Sequence, residues 1–337
     1  MIRIALNGFG RIGKNFLRAF LQNERARKKI EVSAINVGPG NPEFVAHEFK
    51  YDTLLGRYTG DARIEKGVLV VDDYAIPIIA ECDPKKLPWR AMNIDWVVEA
   101  TGHFTKREGA QGHIQAGANK VLITAPARDE DITIIPGVNM SQYDATKHSI
   151  VSLGSCSTNA FVPMSDVLNR AFGIKYGFIA TTHAYTNTQA LLDVDIGDPR
   201  RNRAAALNIV PTSTGATKLM GRVIPELEGK IQGHALRVPV AKVSLADFVF
   251  EAERPLSIKA IHEAFEDASE GSMRGILALT MEPLVSSDYS CNSHSVVIDG
   301  QMTQVCGPLA KVYGWYDNEW AYSVRLIDFL SYVTEST

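Results

Sequence analysis

Residues Ile2 to Phe16 read IRIALNGFGRIGKNF, and this stretch decides the fold. IRIAL is a short apolar-rich strand ending at Asn7. Gly8-Phe9-Gly10-Arg11-Ile12-Gly13 then fits GxGxxG. KNFLRAFLQNERARKK follows with Phe16, Leu17, Phe20 and Leu21 on one helical face. IEVSAIN, Ile30 to Asn36, is a second strand. Strand, glycine turn, helix and strand within about 35 residues make a βαβ unit. Glycines let a backbone approach a pyrophosphate, and a helix N-terminus supplies free N–H groups and partial positive charge. In this setting the motif points to a dinucleotide at Asn7, Gly8, Phe9 and Gly10.

Working outward, GVLVV, WVVEAT (Trp96–Thr101), KVLITAP and HSIVSL read as further strands, with REGAQGHIQAGA as a helix between two of them. The alternation predicts an α/β, Rossmann-type doubly wound parallel sheet over residues 1–155. After Ser155 the texture changes. A helix is expected from near Ser157 through AFVPMSDVLNRAF. The strands GFIATTHAY, GHALRVPV, KVSLADFVFEAE, PLVSSDYS, SVVID and AKVYGWY are longer and more alternating, as in a mixed or antiparallel sheet. Residues 156–318 are therefore expected to form an α+β catalytic domain. The closing amphipathic helix, about 319–337, is expected to pack back on the first domain. One long irregular segment, NTQALLDVDIGDPRRNRAAALN, interrupts the second half, and such lengths usually serve function.

At 337 residues the chain has room for two domains. A net charge of −3 offers no global attraction to nucleic acid or an anionic membrane, and no apolar run is long enough to span a bilayer. The start of the chain is no secretory signal, since Asn7 and two glycines break its apolar stretch. Cys82, Cys156, Cys291 and Cys306 show neither CxxC pairing nor zinc spacing, so no metal is expected and a reduced, cytoplasmic setting is.

Cys156 sits in VSLGSCSTNAF among Ser155, Ser157, Thr158 and Asn159, which is polar company for a thiol. His183, in IATTHAYTNTQ, is the nearby downstream histidine, with room for a helix and a return strand between them. A histidine in reach lowers a thiol's pKa, and a helix opening at Cys156 would help. PTSTGATK (Pro211–Lys218) crowds hydroxyls and glycine at an apparent helix start, a favourable anion site. Arg237 in the strand HALRVP needs an anion or an acidic neighbour. Arg201 lies in the long loop. Near the end, WYDNEWAYS places Asn318 and Tyr322 beside aromatic residues, where an amide suits a nicotinamide carboxamide. At the tip of the second strand, Asn36-Val37-Gly38 lacks the carboxylate that holds a ribose 2′-hydroxyl, so NAD and NADP both remain open.

NGFGRIG, KYDT, EATGHF, SCSTN, THAYTNTQ, PTSTGATK, LRVP and WYDNEWAYS, in that order, resemble the glyceraldehyde-3-phosphate dehydrogenase family along essentially the whole chain. The resemblance implies a phosphorylating aldehyde dehydrogenase with Cys156 as nucleophile and His183 as base. It implies that Ser155, Ser157, Thr158, Thr186, Thr188, Arg201, Thr214, Gly215 and Arg237 line sites for the substrate phosphate and inorganic phosphate. Arg11, Ile12, Thr101, Thr124 and Asn318 would contact the dinucleotide, and the segment from Ala184 to Asn208 would reach a neighbouring subunit of a homotetramer.

The family commonly reads SNASCTTNC, where this chain has Leu153, Gly154, Ser157 and Ala160. Val37 replaces a usual aspartate and Cys82 an arginine, both at the adenosine end. Erythrose-4-phosphate dehydrogenase is the sister activity, disfavoured by the triose-type motifs PTSTGATK and HAYT. A binding or redox-sensing protein on the same scaffold is the non-catalytic alternative, against which the complete Cys156–His183 pair argues.

Overall fold

The computed structural model describes residues 1–335 as two units. Residues 1–134, 141–154 and those from Ser323 onward form the first; residues 135–140 and 155–322 form the second. The division falls one residue before the expected boundary. Positions 336 and 337 of the expected last helix lie outside the described residues.

In the first unit, β1 (Ile2–Asn7) leads into α1 (Arg11–Leu21), the short α2 (Glu24–Arg27) and β2 (Ile30–Asn36). Phe16, Leu17 and Phe20 are fully buried, the face that the periodicity of α1 sets. Then come α3 (Val45–Lys50), a ribbon of β3 (Tyr51–Asp52) and β4 (Gly56–Arg57), and β5 (Ala62–Glu65), β6 (Val68–Val71) and β7 (Tyr74–Ile79). β8 (Trp96–Glu99), α4 (Arg107–Gln115), β9 (Lys120–Ile123), β10 (Ile132–Thr133) and β11 (Ile150–Ser152) complete the sheet.

Its order is β10-β11-β9-β8-β1-β2-β7-β6-β5. All pairs from β10 to β7 are parallel, and the β7-β6-β5 edge is antiparallel. GVLVV thus falls on the antiparallel edge and not in the parallel set. Two-residue connections allow nothing else, and Lys66 (φ 50°) and Asp72 (φ 50°) supply the left-handed backbone such hairpins need.

The second unit opens with α5 (Cys156–Phe172), which runs on into β12 (Ile174–Ala184), β13 (Val210–Thr212), α6 (Ala216–Val223), β14 (Ile231–Val238) and β15 (Ser244–Ala252). α7 (Ile258–Glu270), β16 (Leu277–Thr280), β17 (Val296–Asp299), β18 (Gln304–Cys306) and β19 (Leu309–Tyr316) follow. The strand order is β13-β14-β12-β15-β19-β17-β16, with β18 on β19. The sheet is mixed: β12 runs parallel to β14 and antiparallel to β15.

α5 lies over this sheet, with Phe161, Val162, Met164 and Leu168 fully buried among Phe248, Phe250, Val296 and Val312. Each such side chain contributes roughly 1.5–3 kcal/mol, which outweighs the ~3 kcal/mol cost of Pro163 inside the helix. PLVSSDYS is not a strand. Asp288 turns back to accept the Val285 N–H at 2.8 Å and winds Ser286–Tyr289 into a 3-10 turn. The last helix, α8 (Trp320–Val333), enters the first unit at Ser323, and there Phe329 stands edge-on to Trp96 at 5.6 Å.

Candidate active site

Cys156 is the first residue of α5, and Ser155 is its cap, accepting the Thr158 N–H on Oγ at 3.1 Å. Gly154 precedes it at φ 63°, a left-handed turn that aims the chain into the helix. His183 near the end of β12 brings its Nε2 within 3.4 Å of the Cys156 sulfur. In the parallel β12·β14 ladder His183 is the register partner of Arg237. Arg237 Nη1 lies 2.8 Å from His183 Nδ1 and donates to Ala184 O at 3.0 Å. His183 Nδ1 is also 2.7 Å from Ala184 O. With its Nδ1 proton donated to that carbonyl, the Nε2 lone pair faces the thiol, the tautomer in which His183 can accept the sulfur's proton.

Burial pushes the Cys156 thiol up to about 11, against the opposing pull of the Arg237 guanidinium and the N–H groups of Ser157 and Cys156. Burial also pulls His183 down to about 3, and Arg237 adds to that, with the Ala184 carbonyl opposing. Desolvation thus opposes the depression expected from His183 and the helix start. Neither group ionises alone. Sulfur loses its proton by handing it to the imidazole, which creates a pair with no net charge.

Arg237 has no acidic partner among the described residues, and its buried Nε lacks any hydrogen bond. Burial holds its pKa below the ordinary value, and the nearby charge of Arg201 pushes the same way. Arg201 is aimed by Thr212, whose Oγ1 accepts from its Nη2 at 2.8 Å and its Nε at 3.1 Å. Two guanidinium groups near each other, one without a counter-ion, call for an anion. Thr186 Oγ1, 3.4 Å from Arg237 Nη1, also bonds Thr188 Oγ1 at 2.9 Å. α6 starts just after Thr214 and Gly215; Thr214 Oγ1 accepts the Ala216 N–H at 3.3 Å, and the N-cap Gly215 adds no side-chain cap of its own.

In the first unit, α1 likewise opens at Gly10 without a side-chain cap, in open space. Gly8 has φ 101°, and a Cβ there would stand 2.8 Å from Ala100 C and Thr101 N. A Cβ on Gly13 would meet Gly8 O at 2.3 Å. Backbone this close, with uncapped N–H groups at a helix start, fits a pyrophosphate. The Arg11 guanidinium pairs with Asp52, and Thr124 N donates to Glu99 O at 3.0 Å. Val37 directly follows β2, with no acid at the strand's tip, and its N–H bonds Ile79 O at 2.8 Å.

Family models agree with this division of labour. The NAD binding domain of glyceraldehyde 3-phosphate dehydrogenase matches residues 2–107, and the C-terminal domain of the same enzyme matches residues 155–318. The chain belongs to the glyceraldehyde-3-phosphate dehydrogenase family. It is 48% identical over 337 residues to glyceraldehyde-3-phosphate dehydrogenase 2 of Nostoc sp., covering 99% of each chain. It is 46% identical over 333 residues, 98% of each chain, to the glyceraldehyde-3-phosphate dehydrogenase of Priestia megaterium. The Bacillus subtilis glyceraldehyde-3-phosphate dehydrogenase 1 is 45% identical over 335 residues.

Within that family frame, several expected contacts are placed otherwise. Thr158 is wholly buried and its hydroxyl serves the α5 cap, 2.8 Å from Ser155 Oγ, so it faces no phosphate. Ser155 and Ser157 remain beside the thiol, 3.0 Å apart at their hydroxyls. The side chains of Asn7 and Asn36 are spent inside the first unit. Asn36 donates to Asn7 Oδ1 at 2.7 Å, and Asn7 donates to Glu99 at 2.5 Å. Phe9 is buried with its ring stacked on Phe49. These three residues have backbone alone to offer a ligand. Asn318 is nearly buried, its Oδ1 accepting from Ser244 at 3.4 Å, and Tyr322 is buried too.

Three contributors escaped the sequence reading. Tyr316 sets its ring edge against His183, 6.0 Å between centroids, and bonds Thr181 at 2.7 Å. Thr212 aims Arg201. Glu99 fixes Thr101 by accepting its N–H at 2.8 Å, while His113 and Trp89 buttress the carboxylate from behind. Only the last had a sequence signal, an acid inside the apolar strand WVVEAT.

Proposed function

We propose that this chain oxidises glyceraldehyde 3-phosphate with NAD(P)+ and inorganic phosphate to 1,3-bisphosphoglycerate, the phosphorylating reaction of its family. One observation carries the reading: a thiol sulfur 3.4 Å from an imidazole nitrogen, with an arginine on the next strand that has no acidic partner among the described residues.

The Cys156 sulfur attacks the aldehyde carbon as its proton passes to His183, which hands it on to the new alkoxide, giving a neutral hemithioacetal and a free imidazole. Arg237, Thr186 and Arg201 offer donors to the phosphate groups, and an anion on Arg237 offsets the field that opposes an imidazolium. When bound, the dinucleotide supplies the hydride acceptor; Gly8, Gly10 and the first turn of α1 are the groups that would hold its pyrophosphate. His183 takes the hydroxyl proton as the C–H bond breaks, leaving a thioester on Cys156. Phosphate held among the hydroxyls and arginines attacks that thioester carbon, and the acyl phosphate leaves as the sulfur is restored.

Turnover with glyceraldehyde 3-phosphate that requires phosphate, exceeds turnover with erythrose 4-phosphate and vanishes in Cys156→Ser tests this. The variant should still bind the dinucleotide in a calorimeter; retained turnover would exclude the thioester.

We also infer a homotetramer. The segment that follows β12 folds on its own polar contacts, with Arg203 paired to Asp193, and turns Leu191 (81% exposed) and Leu207 (78% exposed) outward. Apolar residues so exposed suit a subunit interface. Sedimentation velocity should give four chains, and a monomer would refute it. A working thiol must stay reduced, which supports the cytoplasm as its compartment. Among the described residues no helix is long and apolar enough to cross a membrane.

A further inference from the structure

Lys242, Cys291 and Asp317 form a charged cluster in the second unit that the reaction does not use. Lys242, just before β15, is a buried lysine whose ammonium lies 3.0 Å from Asp317 Oδ2. It also donates to Cys291 Sγ at 3.2 Å. The same carboxylate oxygen accepts the Cys291 backbone N–H at 2.8 Å, so one acid holds both partners in place. Burial pulls the ammonium down, but Asp317 and the adjoining sulfur outweigh it and keep Lys242 above the ordinary lysine value. It is a standing cation.

Cys291, Cys82 and Cys306 are all exposed thiols. Among the described residues neither Cys82 nor Cys306 has a cation or a hydrogen-bond partner on its sulfur. The contrast singles out Cys291, the one of these three exposed thiols with an ammonium at hydrogen-bond distance from its sulfur, placed to donate to a leaving oxygen.

We propose that Cys291 is an oxidative modification site, a thiol that reacts with hydrogen peroxide with Lys242 as its counter-ion. The thiolate sulfur attacks one peroxide oxygen. An S–O bond forms as the O–O bond breaks, and hydroxide departs. Sulfur is oxidised by two electrons to a sulfenic acid while the peroxide is reduced. The departing hydroxide takes up the proton that the thiol gave to solvent, so the net products are sulfenic acid and water. The Lys242 ammonium donates to the leaving oxygen. Asp317 keeps the ammonium oriented toward the sulfur.

The test uses the full-length protein with limiting hydrogen peroxide and a 1,3-dione trap for sulfenic acid, followed by peptide mass spectrometry resolved by site. Cys291 should be trapped about tenfold faster than Cys82 and Cys306, whose sulfurs have no ammonium beside them. Equal or slower trapping overturns the proposal, and this comparison needs no variant. Lys242→Gln, checked for folding by circular dichroism, should bring Cys291 down to the rate of the other two. A folded variant whose Cys291 keeps its rate likewise overturns it.

Discussion

Replacing His183 by Asn removes the group that receives the Cys156 proton while keeping a polar side chain of similar size. What remains is a sulfur whose surroundings hold it at about 11. Deprotonation must then run to solvent, and at pH 7 only about one thiol in 10⁴ would be ionised. The native pair follows another rule. His183 stays unprotonated down to about 3, so it remains an acceptor throughout the neutral range. Proton transfer within the pair costs no charge separation to bulk water. Iodoacetamide alkylation of Cys156, followed by mass spectrometry between pH 5 and pH 10, distinguishes the two. The variant should react roughly 10²–10⁴-fold more slowly near neutrality, with a rate climbing about tenfold per pH unit through the alkaline range. The native protein should lack that steep climb. Equal rates and superimposable profiles would mean that the imidazole, although 3.4 Å away, does not take the proton.

Arg237→Met deletes a guanidinium that has no acidic partner among the described residues, and one charge-assisted hydrogen bond is worth about 1.5–3 kcal/mol. Its kcat/KM should fall roughly 10–100-fold, with KM for phosphate rising; an unchanged KM would remove Arg237 from the anion site. Val37→Asp puts a carboxylate at the end of β2 and should shift the kcat/KM ratio toward NAD and away from NADP, and a constant ratio would show that this tip does not face the ribose. Gly8→Ala forces a methyl into the 2.8 Å approach to Ala100 and Thr101 at φ 101°. Dinucleotide affinity and Tm should both drop, by the equivalent of about 1–3 kcal/mol for the backbone strain; a variant as stable and as tight-binding as its parent would contradict the close approach.

How much of this was legible beforehand depended on range along the chain. The β1-loop-α1-β2 unit was readable because its signals are local: a glycine spacing, a 3.6-residue periodicity, and two short apolar runs. The helix expected from near Ser157 opens one residue earlier, at the thiol itself, and runs through Pro163 as expected. By contrast, Asn7 and Asn36 looked available to a ligand because the partners that consume their amides, Glu99 and the Glu81 carbonyl, are far away in sequence. Thr158 looked like one more hydroxyl, and only its complete burial shows that it serves the cap. The identity of Cys156 and His183 was visible, but their protonation was not, since desolvation depends on everything packed around them. The ladder that sets His183 beside Arg237 joins strands fifty residues apart, and sequence pattern carries no register.

Base and cation share one rung of the β12·β14 ladder, whereas the nucleophile rides on a helix in the layer above. Breathing of the sheet therefore carries imidazole and guanidinium together and leaves their separation nearly constant. The vulnerable dimension is vertical, the spacing between α5 and the strands beneath it. A side chain at Gly314, where a Cβ would press within 2.4 Å of Val296, acts on that spacing from a distance. Such interlayer shims would detune sulfur from nitrogen well before they unfold the domain.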